Sequence, residues 1–354
     1  MFEERIARAR KAAGLSLRET AKLVDVSQTT VQKFEKGLLT PSSTHLLGLA
    51  KAFGVRTEYF YRPFEVEITE VEYRKRANTP KKLLNKIEGD VRDQAERWLE
   101  LMNFYPESPV SKFGLPNCLP TLIADYADLE NVAECVRAAW ELGLNPIPDL
   151  IDTFEARGLN VITTKVPILA KFDGLAADIN GLPFLIVSSQ WPGDRQRFTL
   201  GHELGHRLLA GRLSPELDEE MACNYFAGAF LMPKKMVIEA LGKTRHSFEL
   251  QELALLKREF GISMQSILYR ARHCDVIDGK LHKRLFMEFA KKGWRKNEPG
   301  EPYPSEDSLL FRQLVFRALG EGYLGVSKAA ELLGESLSKF HRDRKLSLTS
   351  ATAN

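Results

Sequence analysis

Cysteine is scarce: four residues in a chain of 354, Cys118, Cys135, Cys223 and Cys274, with no C-x-x-C spacing among them. Such scattered thiols argue against a disulfide frame and for the reduced interior of the cytoplasm. Long apolar runs are absent too. Nothing approaches the roughly 20 residues of a membrane span, so no membrane partner is expected. The first residues, Met1-Phe2-Glu3-Glu4-Arg5, are charged and lack the apolar core of a signal peptide. There is no internal repeat and no low-complexity tract. A net charge of +3 is nearly neutral and excludes little. What is present is a 44% hydrophobic content over a length that predicts two or three soluble domains with real cores.

The distribution of charge says more than its sum. Residues 1–60 hold ten Lys and Arg against six Asp and Glu, an excess that suits a polyanion. The same stretch reads as short helices. Phe2, Ile6, Ala9 and Ala13 have helical spacing, and Gly14 stops the run. Ser16 caps a second helix through Leu23. Asp25-Val26-Ser27 makes a tight connection, with Ser27 as the next cap. In the helix Gln28–Lys36, Val31 and Phe34 face a core. Gln28, Thr29, Thr30, Gln32 and Lys33 face outward, where each can hydrogen-bond base edges or phosphates. Another helix runs from Thr44 to Phe53.

Gly14-Leu15-Ser16, Ala21, Val26-Ser27, Phe34-Glu35-Lys36-Gly37, Pro41 and Leu49–Val55 together resemble the Cro and phage-repressor (Xre) helix-turn-helix domain. The resemblance covers residues 1–60 and implies that residues 28–36 enter the major groove of double-stranded DNA, with a homodimer reading a two-fold operator. It departs where the family often has Gln for a phosphate contact. Leu17 stands there, with Arg18 beside it as the replacement contact.

Residues 61–121 read as a linker and a packing helix. Glu65 to Tyr73 alternates polar and apolar residues as a strand or extended linker does. Arg74-Lys75-Arg76 and Thr79-Pro80 mark a break. Leu84, Ile87, Val91, Trp98 and Met102 then repeat with helical spacing, weakened by Gly89. Prolines 106, 109, 116 and 120 make a loop. Beyond it the pattern predicts helices over Val132–Leu142 and Leu150–Ala156. Strand-like runs follow at Leu159–Thr163, Gly174–Ile179 and Pro183–Ser188.

Then comes H-E-x-x-H. Four residues is about one helical turn, so His202 and His206 lie one above the other on one face of a helix. Two imidazoles so placed can grip a zinc ion, with Glu203 beside it to act as a base. A third protein ligand is needed, and Glu216, Asp218, Glu219 and Glu220 all stand in the following stretch.

Residues 197–233 resemble the ImmA/IrrE zinc metallopeptidases, whose pattern is approximately R-R-F-T-L-A-H-E-L-G-H, E-x-x-A-N-x-F-A and L-L-M-P. Gln196-Arg197, Gly201 and Cys223 are departures, and the Cys223 thiol lies one turn from Glu220. The resemblance spans about residues 122–277. It implies a zincin-like domain with a small sheet, a Zn2+ cofactor on His202, His206 and Glu220, and Glu203 as general base. It also implies cleavage of Xre-type repressors. Neither His246 nor Tyr225, the candidates for stabilising the oxyanion, has a stronger claim than a structural role.

Residues 278–354 form a basic helical C-terminal region. Ser327 to Gly334 looks like half of another helix-turn-helix, although a helical cap on the peptidase domain is the preferred reading. The predicted fold class is α+β, mostly α. The predicted function is a cytoplasmic DNA-binding regulator whose zinc peptidase domain cleaves a repressor, itself or a separate one. The alternative is a non-enzymatic transcription factor or antitoxin whose peptidase-like domain senses a ligand or holds a partner toxin.

Overall fold

The computed structural model describes residues 2–62, 66, 68–69, 81–165 and 172–345, the side chains of residues 68, 69, 81 and 82 excepted. They form two compact units. One takes the residues up to 66, those from 81 to 109 and those from 309 onward; the other takes 68–69 and 110–308.

The first unit begins with α1 (Phe2–Ala12), α2 (Leu17–Val24), α3 (Gln28–Glu35) and α4 (Ser43–Phe53), and a 3-10 turn at Thr57–Tyr61. Local chemistry sets these boundaries. Gly14 takes φ +69° after α1. Ser16 and Glu19 form a reciprocal capping box at the start of α2, with bonds of 3.2 and 2.7 Å. Asp25 turns left-handed at φ 56°, and Ser27 accepts from the Thr30 N–H at 3.0 Å to start α3. Ile6, Val31, Phe34, Leu49 and Phe60 fill the core.

The next helix, α5 (Lys81–Met102), belongs to this unit and packs along α1. Gly89, which weakened the helix prediction, lies at that contact: a Cβ there would fall 2.3 Å from the Ala12 Cβ. A buried ion pair, Arg5 to Glu96 at 2.7 Å, joins the same two helices. Most of the expected strand or linker at 65–73 lies outside the described residues.

The second unit holds β1 (Ile68–Thr69), α6 (Asp128–Ala139), α7 (Leu150–Ala156), β2 (Asn160–Thr164), β3 (Gly174–Ile179) and β4 (Leu182–Ser188). Then follow α8 (Gly193–Leu209), α9 (Glu219–Leu231), α10 (Lys234–Leu241), α11 (Leu250–Phe260), α12 (Met264–His273) and α13 (Gly279–Lys291). The sheet order is β1-β3-β4-β2. β3 and β4 form an antiparallel hairpin through Asn180-Gly181, both at positive φ, while β2 runs parallel to β4. The sheet and α6–α9 enclose a core including Phe154, Leu185, Leu204, Phe226 and Phe230. One expectation fails here. Cys118 and Cys135 form a disulfide with Cα atoms 5.9 Å apart. They are 17 positions apart in the sequence, so only the folding of the 105–121 loop onto α6 brings the thiols together.

The chain ends its described part with α14 (Leu310–Gly320), α15 (Val326–Leu332) and α16 (Leu337–Arg344). They belong to the first unit. Trp98 of α5 meets Phe311 of α14, and the Tyr105 hydroxyl donates to the Leu314 carbonyl at 2.7 Å. The fold is thus α+β and mostly α. Among the described residues no helix is long and apolar enough to cross a membrane.

Candidate functional site

Helices α8 and α9 lie closely side by side because glycine and small residues face each other. A Cβ on Gly201 would sit 3.3 Å from the Ala227 Cβ, and one on Gly205 3.2 Å from the Cys223 Cα. Two of the departures from the family pattern, Gly201 and Cys223, are therefore facing residues of this contact. Cys223 is fully buried and is not among the ligand atoms that converge.

Those atoms belong to His202, His206 and Glu220, and all lie within 4.8 Å of one another. The two Nε2 atoms are 3.0 Å apart, and Glu220 oxygens stand 3.5 Å from each. The other ring nitrogens are held from α9. His202 Nδ1 meets Asn224 Oδ1 at 3.0 Å, and His206 Nδ1 meets Glu219 Oε1 at 2.9 Å. The acceptors on the Nδ1 side favour the tautomer whose Nε2 lone pair turns inward. Two bare nitrogens that close, beside a carboxylate, repel unless a cation sits among them. Two imidazoles and one carboxylate are also the donor set of a catalytic zinc site with one position open.

The four acids of the sequence prediction now separate. Glu216 accepts from the Ser214 hydroxyl at 2.9 Å, and Asp218 caps α9 by accepting from the Met221 N–H at 2.8 Å. Glu219 orients His206, and Glu220 reaches between the histidines. Glu203 is buried on the flank of α8 that meets β3. A Cβ on Gly174 would lie 3.8 Å from Glu203 Cγ, but only 2.5 Å from Thr199 and 2.7 Å from the Ile186 carbonyl. Glycine alone lets β3 start this close to the catalytic candidate.

The remaining departure, Gln196-Arg197, anchors a residue that the sequence reading missed. Gln196 and the Glu306 backbone exchange hydrogen bonds at 2.9 and 2.8 Å. The buried Arg197 guanidinium pairs with the Glu306 carboxylate and donates to the Ile147 carbonyl. Glu306 also accepts from the Leu150 and Ile151 N–H groups at the start of α7, at 2.8 and 3.0 Å. An acid 110 residues downstream of Gln196, in a proline-rich loop, carries no local signal for that role.

Of the two oxyanion candidates, His246 is exposed on the loop before α11. Tyr225 stacks on His273 with ring centroids 4.2 Å apart. Burial and the nearby Glu130 carboxylate push its hydroxyl well above the usual range. Tyr225 lines a cavity of about 580 Å³ with Tyr126, Phe198, Asn224, Tyr269 and His273. Asn224 borders this cavity and also holds His202. Burial, then the Arg270 cation, lowers the His273 pKa to about 4.

In the first unit, Arg18, Gln28, Thr29, Gln32 and Lys33 are exposed on α2 and α3. Thr30 is half-buried, with its hydroxyl 2.8 Å from that of Ser27. It serves the cap more than the outer face.

Comparison with known proteins agrees with both regions. Residues 6–60 match the helix-turn-helix family, and residues 154–272 match the IrrE N-terminal-like domain. The chain is 38% identical over 98 residues to the radiation response metalloprotease IrrE of Deinococcus deserti, covering 24% of this chain and 34% of that one. With the protein of the same name from Deinococcus radiodurans it shares 35% over 98 residues, covering 24% and 29% respectively. The match thus spans about a third of the length of these relatives. The chain joins a helix-turn-helix DNA-binding domain to an IrrE-like metallopeptidase domain, and that family implies a metal.

Proposed function

We propose, from a helix-turn-helix domain fused to an IrrE-like metallopeptidase domain, that this chain is a cytoplasmic, dimeric operator-binding regulator. Its zinc peptidase cleaves a repressor of helix-turn-helix type. The reading is carried by the paired Nε2 atoms of His202 and His206, 3.0 Å apart with Glu220 between them. His202, His206 and Glu220 would hold the zinc ion. When bound, zinc polarises a scissile carbonyl and makes water more acidic. Glu203 takes the proton from the attacking water and returns it to the leaving amine. Asn224 and Glu219 keep the two rings oriented. Gln28, Thr29, Gln32 and Lys33, with Arg18 on a phosphate, contact the operator.

The substrate segment is placed between residues 61 and 82 of this chain or its counterpart in a separate repressor. What supports the first is the pairing of β1. Ile68 lies opposite Ile179 and Thr69 opposite Asp178, antiparallel. Along β3 that antiparallel direction points toward Gly174, which borders Glu203. Strand addition of this kind presents an extended backbone to a cleft. Of this segment, residues 63–65, 67 and 70–80 lie outside the described residues.

The test is elemental analysis together with intact-mass analysis after incubation with zinc and DNA. The wild type should carry one zinc per chain, and Glu220→Ala should lose most of it. Fragments ending between 61 and 82, absent in Glu203→Gln, indicate cleavage of its own chain; cutting only a co-encoded repressor indicates action in trans. Full metal in Glu220→Ala, with loss in Glu219→Ala, makes Glu219 the third ligand instead. A second reading rests on the aromatic cavity beside Asn224, which can seat a small ligand and make the unit a sensor without turnover, or a holder of a toxin. Absence of any cut in both substrates favours it.

A further inference from the structure

We infer that the chain carries a second DNA-contacting helix-turn-helix, formed by α15 and α16, with α16 as its recognition helix. It is independent of the peptidase reading. The observation is a backbone match, feature by feature, between α2–α3 and α15–α16 at one constant offset in sequence. The turn residue is left-handed in both: Asp25 at φ 56° and Gly334 at φ +67°. The next N–H reaches back to the same place, Val26 to the Ala21 carbonyl at 3.0 Å and Glu335 to the Ala330 carbonyl at 2.9 Å. A serine then caps the second helix. Ser27 accepts from Thr30 at 3.0 Å, and Ser336 accepts from Lys339 at 3.2 Å. The alanines at the crossing, Ala21 and Ala330, are buried, as are the inward residues of the second helices, Val31 and Phe340.

The faces left outside also correspond. Phe340 is the only buried residue of α16, stacked on Phe316 of α14 at 5.5 Å. Ser338, Lys339, His341, Arg342 and Arg344 are exposed. A helix serving as a structural cap buries a stripe of its surface; this one buries a single side chain. Its exposed side is cationic: Lys339, Arg342, Arg344 and the following Lys345 against one acid, Asp343. Lys339 is the nearest of these to a carboxylate, 3.3 Å from Glu335, which Arg312 also neutralises.

The rest of the motif is fastened from behind. Lys328 of α15 bonds Glu100 of α5 at 2.7 Å, and Arg97 donates to the Leu332 carbonyl at 3.1 Å. Arg56, near the end of the first motif's domain, donates to the Glu335 carbonyl. The turn is thus held rigidly while α16 keeps its outer side open. Short polar and guanidinium side chains on a pre-positioned helix of this geometry fit the major groove of a duplex, with the lysines on phosphates.

The test uses the full chain and a pool of 60-base-pair duplexes with a random centre. Wild type and the double variant Lys339→Ala/Arg342→Ala are each used to select sequences, and affinity for the wild-type winner is followed against salt. Circular dichroism checks that the exposed substitutions leave the helices intact. The inference expects a loss of tenfold or more in affinity, disappearance of one conserved block from the selected sequences, and a shallower salt dependence by about two for two lost phosphate contacts. The block read by α3, abolished instead by Gln28→Ala/Lys33→Ala, should remain. Equal affinity, equal salt slope and equal selected sequence in the Lys339→Ala/Arg342→Ala variant overturn the inference. As a measurement independent of that variant, a photo-crosslinker on Ser338→Cys should mark the duplex. Marking only RNA or a partner protein also overturns it.

Discussion

Helices α8 and α3 both carry a candidate function on a short stretch, but they carry it in opposite ways. In α8 the working side chains are set by neighbours from distant parts of the chain: Asn224 and Glu219 orient the histidines, Gly174 admits β3, and Glu306 locks Arg197. In α3 the working side chains are exposed, and the helix is held from its other side by Val31 and Phe34, by its caps and by the ion pair of Glu35 with Arg10. A buried site couples activity to stability, because each supporting contact is also part of the core. An exposed reading face separates the two.

The sharpest way to test that contrast is at Glu203. Glu203→Gln keeps size and burial while removing the base, so peptide cleavage should fall by roughly 10²–10⁴-fold with unfolding midpoint and zinc content unchanged, read by intact mass and elemental analysis. A comparable loss of structure would show that Glu203 supports the core instead.

Next in size is the buried pair of Arg270 with Glu130, at 2.6 and 2.9 Å. Arg270→Met leaves the Glu130 carboxylate inside without its cation and should cost about 3–5 kcal/mol in urea unfolding. It should also disturb the aromatic cavity, since Arg270 lines it.

Acid should weaken the second unit through His273. Its pKa in the folded chain is about 4, against an ordinary value of 6.5. Between those values the unfolded chain binds the proton and the folded one does not. The stabilisation is therefore complete above pH 6.5 and is lost as pH falls through about 4, in total about 3 kcal/mol. His273→Phe should flatten the pH 4–6.5 slope of the unfolding free energy; an unaltered slope would move the effect elsewhere.

The smallest stability effects belong to α3. Gln28→Ala and Lys33→Ala should change unfolding by no more than about 0.5 kcal/mol, while weakening specific DNA binding by about 1–3 kcal/mol where the residue contacts a base. Footprinting without a protected site would break this half of the contrast. Gly89→Ala makes the matching control in the same unit. Helix propensity alone favours alanine by about 1 kcal/mol, yet the 2.3 Å approach to Ala12 should reverse the sign.

Much of the site was legible because its pattern is local. The spacing of His202 and His206 is one helical turn, and the caps at Ser16, Ser27 and Ser336 act within three residues. Such features need no tertiary partner, so the capped starts of α2, α3 and α16, the histidine pair and the outward face of α3 follow from the sequence alone, whereas α6, expected at Val132–Leu142, runs from Asp128 to Ala139. Other features were decided only when distant segments met. Glu220 stands apart from Glu216, Asp218 and Glu219 by where the first turn of α9 faces α8. Cys118 joins Cys135 because a proline-rich loop lies on α6. Glu306 becomes an anchor because two buried N–H groups and a guanidinium need an acceptor. The last three helices join the first unit because α5 offers Glu100, Arg97 and Trp98 to them. Each of these choices is settled by burial and charge pairing between residues far apart in sequence, and no periodicity or spacing encodes which distant partner will be met.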